Sequence, residues 1–292
     1  MTRLLLFLLL AHAAMTKTVL VVTADASDFV LGAGGTLASM VTQGDRAILL
    51  RVTNDDKDSW DLGPEETAAR AKSEVEQAAK ILGIERVHSL GYRAGELGGI
   101  SPTEVRDRIL FYIRLLKPDV LFIPNPYAEY VEVLDRHYTG MAAEEARRIA
   151  ALPNHQPPFV QVGLGTHITP ELYYYAQPFD PRRREPESTP TFTPQPKVVD
   201  IAESFDKKLQ AAQALTTINY AMAMRIRQRL DQTGRRLPLL DAINAESIRK
   251  LVDVNVRKLA EIAAKDSPYR QAEEFMYAGP DHQIPETFRK AR

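Results

Sequence analysis

The 292-residue chain is 45% hydrophobic and 26% charged, long enough to bury a substantial core as one large α/β domain. Its formal net charge of -1 leaves no basic surplus to hold nucleic acid and no acidic tail. Cysteine is absent, which excludes disulfides, thiolate catalysis and sulfur-ligated zinc, so any metal site must be built from carboxylates and the six histidines.

The chain opens on MTRLLLFLLLAHAA, where one arginine, an apolar run and a small-x-small triplet read as a secretory signal over residues 1–14. On that reading the protein is secreted or periplasmic and residues 15–292 form a single domain. The apolar run is too short for a membrane span. Met15 offers a second start, MTKTVLVV, which would leave the protein cytoplasmic.

Thr18 to Thr23 is an apolar, largely β-branched run suited to a central parallel strand covered on both faces. Asp25, Ser27 and Asp28 follow at once, just beyond the strand's carboxyl end, where open α/β sheets place their ligands. Gly32, Gly34 and Gly35 then permit close backbone approach, and a helix is predicted from Gly35 to Gln43. The same glycines admit a phosphate cradle, but neither the full dinucleotide pattern nor a P-loop lysine is present. A second strand is predicted over Ala47 to Thr53, running into Asn54-Asp55-Asp56. An amphipathic helix follows from Pro64 to Leu82, with Ala71, Val75, Ala78 and Leu82 on one side and Gly83 as its stop. Arg70 and Glu74 on it are spaced for an intrahelical ion pair.

Arg86 to Leu90 reads as a third strand, Pro102 to Leu116 as a helix and Val120 to Ile123 as a fourth strand. That strand ends in Pro124-Asn125-Pro126-Tyr127 and a second dense elbow, EYVEVLDRHYTGMAAEEA. The alternation predicts a Rossmann-like, doubly wound, mostly parallel sheet with helices on both faces. Thr169 to Ala176 reads as a tyrosine-rich strand, residues 177–196 as a Pro- and Arg-rich loop or lid, and Val198 to Ile201 as an edge strand. Long helices are predicted from Ser204 to Arg229 and from Ala242 to Ala264, making residues 204–264 a helical C-terminal region.

The order of these landmarks resembles the LmbE/PIG-L superfamily of zinc-dependent deacetylases acting on N-acetylglucosamine-type sugars. TADASDFVLGAGGTL is similar to the family's Ala-His-Pro-Asp-Asp-Glu elbow and glycine-containing helix start, and VTNDD to its Thr-Asn-Gly-Asp strand end. ARAKSEVEQAAKILGI, LGYRAGEL, KPDVLFIPNP, LDRHYTG, VVDIAESFDKKLQA and YRQAEEF follow in the family's order.

The resemblance implies a metal held by two histidines and one aspartate, with a second aspartate as general base on the bound water. Laid on this chain, the metal positions fall on Asp25, Asp28 and Arg136, with His137 one place further on. The general base falls on Ser27, and Asp135 is kept in kind. Arg70, Asn54, Tyr92 and Arg136 fall where substrate contacts are expected. Ala94 replaces an aspartate, and Leu215-Thr216-Thr217 stands in place of a His-x-Ser-Gln. A serine hydroxyl has no pKa suited to general-base work near neutrality. A guanidinium at a ligand position would pair with Asp28 or Asp25 and fill the metal's space. The replacements imply a deacetylase-like fold binding a small-molecule sugar or N-acyl-amino sugar without cofactor. The alternative is an active metal-dependent N-acyl-sugar amidohydrolase with a rearranged site, holding zinc or another divalent ion and drawing on His137, His155 or His167. Trp60, Tyr92, Tyr127 and Tyr173, with Arg182 to Arg184 in the lid, are the groups expected to line a sugar site.

Overall fold

A computed structural model describes residues 16–130, 132–178, 195–281 and 284. The signal over residues 1–14, and Arg182 to Arg184 with most of the 177–196 loop, lie outside the described residues. Among those described, no helix is long and apolar enough to cross a membrane.

The first half alternates as predicted: β1 (Thr18–Thr23), α1 (Asp28–Thr42), β2 (Arg46–Thr53), α2 (Pro64–Leu82), β3 (Arg86–Tyr92), α3 (Pro102–Leu116), β4 (Val120–Pro124) and α4 (Asp135–Ala150). There follow α5 (Pro157–Gln161), β5 (Glu171–Tyr175), β6 (Gln195–Asp200), α6 (Phe205–Ala214), α7 (Thr216–Gln232), α8 (Ala245–Ala264) and β7 (Ala272–Ala278). The seven strands form one sheet in the order β3-β2-β1-β4-β5-β7-β6. The pairs from β3 through β5 are parallel, while β7 runs antiparallel to both β5 and β6. Strand order reverses between β1 and β4, so the crevice beyond their carboxyl ends is the switch point of the sheet.

Alternate side chains of β1 feed two cores. Val19 and Val21 pack with Phe29, Leu37, Val75, Leu82 and Phe205 on the face covered by α1, α2 and α6. Leu20 and Val22 pack with Val105, Ile109, Ala142 and Ala146 of α3 and α4 on the other.

Three elements differ from the sequence prediction. Helix α1 begins at Asp28, seven residues before the predicted start, and holds the glycines inside it. A Cβ at Gly32 would lie 2.7 Å from Tyr175 Cδ2 and one at Gly35 2.8 Å from Ile201 Cβ, so these glycines serve close packing rather than a phosphate cradle. The predicted 204–229 helix is two helices, broken at Leu215 (φ -82°, ψ 63°). Glu74 explains the break: its carboxylate accepts from Thr217 N (3.0 and 3.1 Å), Thr217 Oγ1 (2.8 Å) and Thr216 Oγ1 (2.5 Å), capping the first turn of α7. Strand β7, unanticipated, inserts between β5 and β6, leaving β6 at the edge.

Candidate functional site

The floor of the crevice is the elbow between β1 and α1, with α4 entering from the opposite side. Helix α4 is fixed at two points. A Cβ on Gly140 would overlap the Pro124 carbonyl oxygen, so only glycine lets the helix sit this close to the end of β4. At its C-terminal end the buried Arg114 guanidinium donates to the carbonyls of Ala150 (3.3 Å), Leu152 (2.8 Å) and His155 (2.9 Å).

So placed, the first turn of α4 aims Arg136 at the elbow. Arg136 Nε donates to Asp25 Oδ2 at 2.7 Å, and Nη2 donates to Asp25 Oδ1 at 3.1 Å and Ser27 Oγ at 3.2 Å. The same Nε lies 3.3 Å from Asp28 Oδ1. Asp25 Oδ1 also accepts from the N–H groups of Ser27 and Asp28 (both 3.0 Å) and from Ser27 Oγ (2.9 Å). Arg136, Asp25 and Asp28 are 8%, 4% and 3% exposed. Burial works to raise the Asp25 carboxyl, but Arg136 and the Ser27 hydrogen bonds overcome it and hold Asp25 below the usual range. Burial also opposes the Arg136 charge, and the two aspartates keep it well protonated. For Asp28 burial wins, pushing the carboxyl up to about 7 against the pull of Arg136.

Tyr175 closes this cluster from β5, its hydroxyl 2.8 Å from Val22 O and 3.3 Å from Asp28 Oδ2. A phenol has one proton to give. That proton is directed mainly at the nearer Val22 carbonyl, and the longer bond it makes to Asp28 pulls the Asp28 carboxyl down only against the larger effect of burial.

A second buried layer comes from the end of β2. Asp55 has left-handed backbone (φ 57°) and accepts from Ala26 N at 3.2 Å and Thr53 Oγ1 at 3.4 Å, while its carbonyl accepts from Asp58 N at 3.1 Å. Arg51 Nη1 lies 3.2 Å from Asp55 Oδ2, but the two are misaligned for a hydrogen bond and both atoms lack another partner, so this is a charge contact. Burial pushes Asp55 well up and Asp58 up to about 6, with the Asp25 charge adding to both.

The sequence-derived residues divide. Asp25, Ser27, Asp28 and Arg136 meet at one point. Asp135 faces the neighbouring loop, accepting from Gly95 N (2.5 Å) and Leu97 N (3.2 Å), and burial raises its carboxyl. His137 Nδ1 is 3.0 Å from the Pro126 carbonyl and His167 Nε2 is 2.8 Å from the Pro118 carbonyl. Among the described residues no three His, Cys, Asp or Glu side chains are grouped as ligands of one ion. Asn54 Oδ1 accepts from Asp56 N, closing the loop after β2, while Asn54 N donates to Tyr92 O. Arg70 pairs on the exposed face of α2 with Glu66 (2.7 Å), not Glu74. Tyr92 Oη donates to Glu104, Tyr127 Oη donates to Glu144, and Tyr173 stacks on Phe122 in the core. Asp55, Asp58 and Tyr175 were not singled out from sequence. Two of them stand in an acidic loop and one in a tyrosine-rich strand, and only the three-dimensional packing distinguishes them from their neighbours.

Residues 20–146 match the family described as GlcNAc-PI de-N-acetylase, PIG-L. The chain carries a PIG-L domain. The span of that domain runs from β1 through most of α4 and includes the Asp25–Arg136 cluster. A relative, the diacetylchitobiose deacetylase of Thermococcus kodakarensis, is 27% identical over 198 residues, covering 67% of each chain. The PIG-L domain and its C-terminal helices share their fold with the N,N'-diacetylchitobiose deacetylase of Pyrococcus horikoshii: TM-score 0.70, 24% identity, 91% of this chain and 85% of that one. A conserved protein from Thermus thermophilus also shares it, at TM-score 0.60 and 22% identity over 89% of this chain and 94% of that one. The chain is thus deacetylase-like in sequence and fold.

Proposed function

We propose that this protein is a non-catalytic member of the deacetylase-like group, binding a small N-acylated amino sugar in the switch-point crevice without hydrolysing it. The observation that carries the reading is the Arg136 guanidinium held by Asp25 at 2.7 Å and by Asp28 at 3.3 Å. Its fixed charge stands at the position the family gives to a ligand histidine, so the donor set does not fit a zinc ion. Such an ion takes histidine, cysteine or carboxylate ligands about a vacant centre. Ser27, at the general-base position, is engaged with Asp25 and Arg136, and its hydroxyl cannot take a proton near neutral pH. The saccharide part of the proposal draws on the relatives, two of which are deacetylases of diacetylchitobiose. The alternative, an active metal-dependent N-acyl-sugar amidohydrolase, draws on the same relatives. It would require ligands drawn to one point, whereas among the described residues no three His, Cys, Asp or Glu side chains are so grouped. Residues 1–14 support export as the setting, and N-terminal sequencing of protein from the culture medium or periplasm would test cleavage of that segment.

The direct assay is acetate release from N,N'-diacetylchitobiose by protein incubated with Zn²⁺, Mn²⁺ or Co²⁺. The expected result is no release above the protein-free control; metal-dependent turnover would overturn the proposal.

A further inference from the structure

A groove of about 550 Å³ lies along the free edge of the sheet, outside the switch-point crevice. Its walls are Leu90 of β3, Glu104, Asp107 and Phe111 of α3, and Gln156 and Phe159 at α5. The size and the mixture of aromatic and precisely held polar groups are those of a small-molecule site. Phe111 and Phe159 are half-buried rings set edge to face, centroids 5.8 Å apart, so aromatic surface is presented along the groove.

The polar groups are held in place. Asp107 accepts from Arg106 Nε at 2.9 Å and from Gln156 Nε2 at 2.5 Å, with Gln156 in left-handed backbone (φ 50°). Glu104 accepts from Tyr92 Oη at 2.7 Å and lies 3.3 Å from Arg108 Nη2. The Arg108 guanidinium in turn sits 5.0 Å over the Tyr92 ring. Each carboxylate thus has a guanidinium beside it. The lining is rich in donors and acceptors but balanced in charge, which disfavours a phosphate, a free carboxylate or an ammonium group. It suits a neutral polyol with one apolar face. A pyranose ring has that character: its C–H face meets the electron-rich face of an aromatic ring, and its hydroxyls meet planar carboxylate, amide and guanidinium groups.

One residue bonds both to a groove carboxylate and to the loop after β2. Tyr92, expected from sequence at the crevice, ends β3 beside Glu104 and Arg108, while its carbonyl accepts from Asn54 N at 2.7 Å in the crevice loop.

We infer that this edge groove is a second saccharide subsite, binding a neutral pyranose ring against Phe111 and Phe159 with Glu104, Asp107 and Gln156 as hydroxyl partners. The choice of a saccharide rests on the proposed function of the crevice, and the experiment separates the two. Amide-resolved NMR of the full chain is titrated with N,N'-diacetylchitobiose, for the wild type and for Phe159→Ala and Glu104→Gln. Saturable shifts at Ser89, Leu90, Phe111 and Gln156, with affinity lowered about tenfold in both variants, are expected. Shifts confined to the amides of Asp25, Ser27 and Asn54 would overturn the groove and leave the crevice reading standing. Shifts confined to the groove would do the reverse. Shifts at neither would overturn both, and groove shifts that neither variant weakens would overturn the groove alone.

Discussion

Arg136, Asp25 and Asp28 bring three ionisable groups into a space nearly closed to water, an arrangement stable only as a set. Removing the cation leaves Asp25 buried with no positive partner. Arg136→Met is therefore expected to cost about 3–5 kcal/mol in chemical denaturation, and a loss below about 1 kcal/mol would contradict the pairing. The same cluster sets a pH dependence. Burial raises Asp28 to about 7 and Asp58 to about 6 in the native protein. Between the ordinary value of 3.8 and those values, the native state keeps protons that the unfolded chain has released. Stability therefore falls as pH rises through that window and levels off above it. Asp25, held below its ordinary value, acts in the opposite sense and only in more acid solution, where its contribution is lost as pH falls. In Asp28→Asn the decline across the first window should be shallower than in the wild type when the denaturation midpoint is followed against pH. An unchanged slope would show that Asp28 does not carry the retained proton.

At the scale of elements, the crevice depends on how closely helices approach the strand ends. Gly140→Ala would drive a methyl into the Pro124 carbonyl and displace the turn that carries Arg136. A loss of about 1–3 kcal/mol is expected by thermal or urea unfolding. Gly165→Ala, in a loop with open space around its Cβ position, should stay within about 0.5 kcal/mol as the control. Equal losses in the two variants would refute the close-approach argument. Glu74 caps α7, and Glu74→Ala is expected to lose about 1 kcal/mol, read as earlier amide exchange in the first turn of that helix. The alternation of strands and helices from Thr18 to Ala150 is legible in sequence because each element is strongly patterned. The Leu215 break is not, because it depends on a carboxylate 141 residues earlier meeting Thr216 and Thr217. Strand β7 escapes for a similar reason: AEEFMYA carries adjacent glutamates, and Glu273 is buried only because Lys208 meets it.

Across the whole molecule, that Lys208–Glu273 pair ties the C-terminal elements to the elbow helix. Lys208 Nζ is 2.7 Å from Glu273 Oε1 and donates to Leu31 O at 2.8 Å, while Glu273 accepts from the N–H groups of Gly35 (2.9 Å) and Thr36 (2.8 Å). The pair thereby bonds to the backbone of α1 one turn and more beyond Asp28. Lys208→Met, leaving Glu273 alone in the core, should destabilise by about 3–5 kcal/mol, and adding Glu273→Leu should recover part of that loss. Strictly additive losses would mean the two side chains do not act together. The fold is thus legible from residue order and the doubly wound pattern, and the meeting of Asp25, Ser27, Asp28 and Arg136 from the resemblance to the LmbE/PIG-L family. The buried roles of Asp55, Tyr175, Lys208 and Glu273 arise from contacts between distant segments that periodicity does not encode. The central claim, that Arg136 takes the space of a catalytic metal, is tested most directly by elemental analysis of protein purified without chelator and dialysed against micromolar zinc. The account predicts zinc well below one equivalent per chain, and a stoichiometric ion lost on Asp25→Ala or Asp28→Ala would contradict it.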